Sequence, residues 1–100
     1  MSYQVSLEDQ AVRVTVQGHL YVEDAADLKG LLFEHIDEGR CNFIFDFNKL
    51  DYIDSAGLGL LISIQKRVVP MGGKVLALGA HGIVREIFEL TRLDRIFFPR

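Results

Sequence analysis

The sequence predicts an α/β domain in which a mixed sheet carries helices in the order β-β-α-β-α-β-α-β. Three features predict it: an alternating apolar stretch near the start, two later apolar runs of strand length, and helical apolar spacing between them. With 100 residues, 49% of them hydrophobic, the chain has room for one core, and residues 1–100 read as a single domain.

Tyr3 to Glu8 and Ala11 to Gly18 read as two strands joined by a tight turn at Asp9-Gln10. Val12, Val14 and Val16 alternate with Arg13, Thr15 and Gln17, as in a hairpin with one buried face. From Val22 to about Glu38, Ala25, Leu28, Leu32 and Ile36 follow helical spacing; Glu23, Asp24 and Asp27 lie in the first turn, where the dipole favours acids. Gly39 is placed to end that helix. Cys41 to Phe47 is a near-continuous apolar run that suits an inner strand covered on both faces. Asn48 to Asp54 reads as a loop, and a second helix is expected from Ser55 to about Val69, closed by Pro70-Met71-Gly72-Gly73. Lys74 to Leu78 gives a further buried strand, His81 to Leu90 a third helix with Arg85 and Glu89 paired outward, and Arg95 to Phe98 a short last strand. Right-handed crossovers place successive helices on one side of the sheet.

Composition excludes several classes. The net charge of -3 is unevenly spread, with -7 in residues 1–54 and +4 in residues 55–100, a polarity that can steer a charged protein partner. No cluster of Arg and Lys is dense enough for nucleic acid. No apolar run approaches the roughly 18 residues of a membrane span, and Met1 to Ser6 lack the layout of a secretory signal, so a cytoplasmic protein without direct membrane insertion is expected. Cys41 is the single cysteine, and His19, His35 and His81 are scattered, so neither a metal nor a cofactor is expected.

The stretch that carries chemistry is Leu50-Asp51-Tyr52-Ile53-Asp54-Ser55-Ala56-Gly57-Leu58-Gly59-Leu60-Leu61, which delivers a serine to a helix start. Ser55 is the expected N-cap, and Ala56, Gly57 and Gly59 leave the helix end open to close approach. Two glycines in a first turn each cost roughly 1 kcal/mol relative to alanine, so something other than helicity selects them. A phosphoryl group on Ser55 would lie where free backbone N–H groups and the helix dipole accept an anion. A serine nucleophile is disfavoured by the lack of Gly-x-Ser-x-Gly and of a histidine with an orienting acid. Gly57-Leu58-Gly59 is only a fragment of a nucleotide-binding loop. Leu58 and Ile62 lie on the margin of the second helix, either as core or as an apolar anchor beside the serine. His35 and Cys41 read as structural, and Lys66 and Arg67 as solvated.

Strand, loop, Asp54-Ser55-Ala56-Gly57-Leu58-Gly59, helix, then Gly72-Gly73 and a strand, resembles the STAS domain of anti-sigma-factor antagonists. The likeness takes in Gly18, Phe43-Ile44-Phe45-Asp46-Phe47, Met71-Gly72-Gly73-Lys74, and the ending Ile87-Phe88-Glu89-Leu90-Thr91 to Ile96-Phe97. It implies a non-enzymatic switch protein. In such a protein Ser55 is the phosphoacceptor of an anti-sigma factor that is also a serine kinase of the histidine-kinase-like ATPase type, and a PP2C-type phosphatase resets it. Asp54, Ala56, Gly57, Leu58, Gly59 and Ile62 then shape the partner-binding patch. A scaffold, or a transporter- or assembly-associated subunit in which Ser55 is never phosphorylated, is the alternative, and a small-ligand carrier using the helix end a third. Two departures stand out. Gly18-His19-Leu20-Tyr21 replaces a Gly-x-Leu-Asp pattern, so Tyr21 removes a carboxylate from near Ser55. The chain also stops where relatives continue into a last helix; absence of that C-terminal helix would leave Phe97 and Phe98 without cover and makes a homodimer through that surface a hypothesis.

Overall fold

The computed structural model describes residues 2–20 and 22–99. Strands β1 (Ser2–Glu8) and β2 (Ala11–Leu20) form the expected hairpin, and positive φ angles of 50° at Asp9 and 71° at Gln10 make its two-residue turn, as the twist of a tight hairpin requires. Helix α1 (Val22–Asp37), strand β3 (Asn42–Ile53), helix α2 (Ser55–Val68), strand β4 (Lys74–Leu78) and helix α3 (Gly82–Leu90) follow. The sheet runs β1-β2-β3-β4, with β1 antiparallel to β2 and the other pairs parallel. Both helical crossovers move in the same direction across the sheet, which puts α1 and α2 on one face, in contact with each other.

Burial follows from that one-sided layering. Val12, Val14, Val16, Phe43, Phe45, Phe47, Val75 and Ala77 point under the helices and are buried, where they meet Leu28, Leu32, Leu61, Ile64 and Val84. The other sheet face carries Arg13, Thr15, Ile44, Asp46, Leu76 and Leu78, all half-buried, so β3 is central in the sheet but covered on one face only. The acid within the run, Asp46, belongs to that open face.

Two elements differ from the sequence reading. Residues 48–53 do not form a loop: β3 continues through them, pairing Gln17 with Lys49 and Leu20 with Ile53. Register shifts between Thr15 and Gln17 and between Gly18 and His19 absorb extra residues of β3, which breaks the period-two signal while Leu50 and Ile53 remain buried. The last segment is not a strand but a short helix, α4 (Asp94–Phe97), packed beside α3 and β4. It turns Phe97 into the core, edge-on to Phe88 at 6.3 Å, and Phe98 stacks on Phe88 at 5.1 Å. Phe97 is thus fully covered and Phe98 half-buried against Phe88, so the two rings are not left without cover as the sequence reading expected.

Gly73 and Gly79 hold the ends of β4 close to β3. A Cβ on Gly73 would fall 1.8 Å from the Cys41 carbonyl oxygen, which accepts from Lys74 N at 3.0 Å. A Cβ on Gly79 would fall 2.5 Å from the Asn48 side chain, at a φ of 76° that already favours glycine.

The first register shift in β3 is pinned by one carboxylate. Asp46 Oδ1 accepts from the Asn48 backbone N–H at 3.0 Å and from Asn48 Nδ2 at 2.8 Å, and Oδ2 accepts from Arg13 Nη2 on β2 at 2.9 Å. His81 Nε2 lies 2.9 Å from the Asn48 carbonyl oxygen and ties the same point to the start of α3. The Asn48 amide, helped by its side chain and by Arg13, holds the Asp46 carboxyl below its ordinary value of 3.8 against the opposing effect of burial. A lowered carboxyl pKa contributes stability that is complete above the unfolded value and is lost as pH falls through the folded one. Asp46→Asn is therefore expected to cost about 1–2 kcal/mol at pH 7 and to flatten the acid-side loss of stability, as read by urea titrations at neutral pH and in a series below pH 4; an unchanged acid profile would remove Asp46 from this role.

Candidate functional site

The prolonged β3 decides where the candidate serine stands. Its last buried residues, Leu50 and Ile53, keep it seated beside β2 up to the Leu20–Ile53 pair, and the next residue is Asp54. Asp54 is extended, with φ -104° and ψ -174°, and its Oδ1 accepts from Ala56 N at 3.0 Å and Gly57 N at 3.1 Å. Asp54, not Ser55, is the N-cap of α2. Aspartate and serine cap about equally well, so in an Asp-Ser pair the choice falls to whichever residue leaves the strand extended, and here that is Asp54.

Ser55 is consequently the first helical residue. Its side chain is exposed, and its hydroxyl makes no hydrogen bond among the described residues. The amides expected to receive a phosphoryl group are already in use: Ala56 N and Gly57 N donate to the Asp54 carboxylate, and Leu58 N donates to the Asp54 carbonyl at 3.1 Å. A ready carboxylate takes the place of an incoming anion at this helix end.

The remaining residues of the predicted patch divide by burial. Gly57 is buried and offers no docking surface of its own. Asp54, Ala56 and Gly59 are half-buried, and Leu58 and Ile62 are half-buried while packing on the core, so each of these two is part wall and part surface. Ala56, Gly59, Leu60 and Ser63 face Ala25, Ala26 and Lys29 of α1 across an open groove of about 320 Å3. A Cβ on Gly59 would meet nothing within 4 Å, so this glycine widens the groove and is not required for helix contact. Further along, Lys29 and Arg67 lie over the Phe33 ring at 5.4 and 4.7 Å, and Arg67 also reaches Asp37 at 3.2 Å, so Arg67 is less free than its sequence position implies.

Two residues near Ser55 were not singled out as partner-binding in the sequence. His19 and Tyr52 are register partners one rung before the end of β2 and β3, both exposed, with rings edge to face at 5.9 Å. Reading residues 48–53 as a loop hid this pairing; an aromatic at the end of each strand was the available signal. Tyr21, the departure in the Gly-x-Leu-Asp pattern, lies outside the described residues. His35 is half-buried, with Nδ1 at 3.0 Å from Arg40 Nη1, and Cys41 is half-buried just before β3. Among the described residues no group of three or more His, Cys, Asp or Glu is arranged to hold a metal ion, and no helix is long and apolar enough to cross a membrane.

Residues 3–100 match the STAS domain family. The chain belongs to that family. This STAS domain is 30% identical over 82 residues, 82% of its own length and 71% of the relative's, to a protein assigned as the anti-sigma factor antagonist BtrV of Bordetella bronchiseptica. Among solved structures, one assigned as an anti-sigma factor antagonist from Thermotoga maritima superposes with a TM-score of 0.89 at 25% identity, covering 96% of this chain and 83% of that one. The Bacillus cell fate determinant SpoIIAA in its phosphorylated form shares the fold, with a TM-score of 0.81 at 19% identity over 97% of this chain and 89% of its own.

The cap assignment separates two neighbouring side chains. Asp54→Ala is expected to lower stability by about 1 kcal/mol through the loss of two amide acceptors, whereas Ser55→Ala leaves the denaturation midpoint unchanged. Equal losses in the two variants, measured by urea unfolding, would return the cap to Ser55.

Proposed function

We propose that this STAS domain is an anti-sigma-factor antagonist that works by partner switching, with Ser55 as its phosphoacceptor. The observation that carries the proposal is Ser55 itself: it is exposed, its hydroxyl makes no hydrogen bond among the described residues, and the capping of α2 is done by its neighbour. The family match and the antagonist relatives support the role. Unphosphorylated, the domain binds a cytoplasmic anti-sigma factor with serine kinase activity of the histidine-kinase-like type; phosphorylated, it lets that partner go, and a PP2C-type phosphatase resets it. The protein is a ligand in this cycle and not a catalyst.

Electrostatics gives the switch its direction. A phosphoryl group adds about -1.5 to -2 charges at neutral pH. With the Asp54 carboxylate already accepting from Ala56 N and Gly57 N, that charge meets first-turn donors that are in use and adds to an existing carboxylate. The surface beside Leu58 and Ile62 changes from mildly to strongly negative, and an apolar or acidic partner patch is repelled without any change in the fold. Asp54 holds the helix end, the buried Gly57 seats the first turn against the core, Ala56 and Gly59 line the groove next to the serine, and Leu58 and Ile62 supply the apolar contact.

The test is mass spectrometry of the protein from its own cells, joined to partner capture with Ser55→Ala and Ser55→Asp. Phosphate on Ser55, with the alanine variant retaining the partner and the aspartate variant binding roughly tenfold or more weakly, about 1.4 kcal/mol, is the expected result. Leu58→Ala is expected to weaken binding while keeping the fold. Absence of phosphate under every growth condition, with both Ser55 variants binding as wild type, would instead assign the domain to the scaffold or transporter-associated role.

A further inference from the structure

The two edges of the sheet are built differently. β4 is five residues long, opens on Lys74 and has α4 packed against it, and short length, a lysine and a cover are the devices that keep an edge from pairing with another chain. Among the described residues β1 has none of them. It is seven residues long and pairs only with β2; from Ser2 to Leu7 it contains no charge, no proline and no bulge. Its side chains alternate: Tyr3, Val5 and Leu7 share the helix-covered face with Val16, Val14 and Val12, while Gln4 and Ser6 point to the open face. Leu7 remains 52% exposed although its face is the apolar one.

We propose that β1 is a self-association surface, on which a second copy of this chain adds its own β1 antiparallel about a two-fold axis at Val5. In that register Tyr3 lies opposite the second copy's Leu7, Val5 opposite its counterpart, and Gln4 opposite Ser6. Apolar residues meet apolar ones on the helix side, neutral polar residues meet each other on the open side, and no like charges face one another, which is the condition cross-strand pairs set. A shift by one residue would bring apolar against polar side chains along the whole strand. The pairing is isologous and closes on itself, whereas a β1-to-β4 contact would propagate. It yields one continuous sheet with the helices of both copies on the same face. Because β3 lies two places from β1 and Ser55 follows the end of β3, the two serines point in opposite directions and both stay open.

Light scattering across a concentration series is expected to show twice the monomer mass. Gln4→Glu with Ser6→Glu places like charges opposite each other on both sides of the axis and is expected to raise the dimer dissociation constant at least about tenfold, with an unchanged circular dichroism spectrum. Gln4→Lys with Ser6→Lys is expected to do the same, and mixing the two variants to restore a dimer of one copy of each. A monomer at every concentration, a dimer indifferent to both double variants, or a mixture that stays monomeric would overturn the proposal. Ser55→Ala is expected to dimerise as wild type, so loss of the switch reading leaves this result untouched.

Discussion

Phe43, Phe45 and Phe47 project from the same side of β3 into the space beneath the helices, each of them at most 1% exposed, and the arrangement of the molecule follows from their burial. Phe47 meets Phe88 of α3 at 6.1 Å, and Phe88 in turn meets Phe97 and Phe98, so the helix after the last strand and the end of the chain are both anchored on a ring from the central strand. Full burial of a phenylalanine contributes about 1.5–3 kcal/mol, so the three rings together account for a share comparable to the net stability of a domain this size. The opposite face of β3 has no such cover. It carries the polar tie of Asp46 to Arg13 and Asn48, which fixes the point where the strand slips against β2 and continues toward the serine.

Much of this was legible in the sequence because the alternation of Val12, Val14 and Val16, the helical spacing of Leu28, Leu32 and Ile36, and the glycines at 72 and 73 each obey a local rule that the tertiary structure does not override. What was not legible has physical causes. Residues 48–53 looked like a loop because Asn48, Lys49 and Asp51 are polar and the buried Leu50 and Ile53 are three apart; two register shifts reconcile that spacing with a strand, and register shifts leave no period behind them. Arg95 to Phe98 looked like a strand because a short apolar run fits either element. Its true conformation depends on Phe88, which offers Phe97 and Phe98 a surface that only a turn of helix lets both reach. The cap moved from Ser55 to Asp54 because two residues of similar capping power stand side by side and strand length, a non-local quantity, chooses between them.

The site as a whole is a division of labour among neighbours. Asp54 satisfies the helix end, Ile53 and Gly57 hold it to the core, and Ser55 is left with no structural duty among the described contacts. A residue so placed is free to be used for signalling in a way that a capping serine is not, since a cap must give up its acceptor role when it is modified. His19 and Tyr52 pair their rings at the ends of β2 and β3, one rung before the strand passes into Asp54 and Ser55, and their chemistry differs from that of the groove of small residues between α1 and α2.

That Ser55 makes no hydrogen bond through its side chain among the described residues, while its neighbour Asp54 holds α2 in place, bears on how long the proposed phosphorylated form would last. Proteases act on chains that open, and the population of open chains tracks stability. On the proposed reading a phosphoryl group would stand next in the chain to the Asp54 carboxylate that caps α2, and their repulsion would raise that population. The marked form would then be the shorter-lived of the two, so that turnover, as well as a phosphatase, would erase the mark.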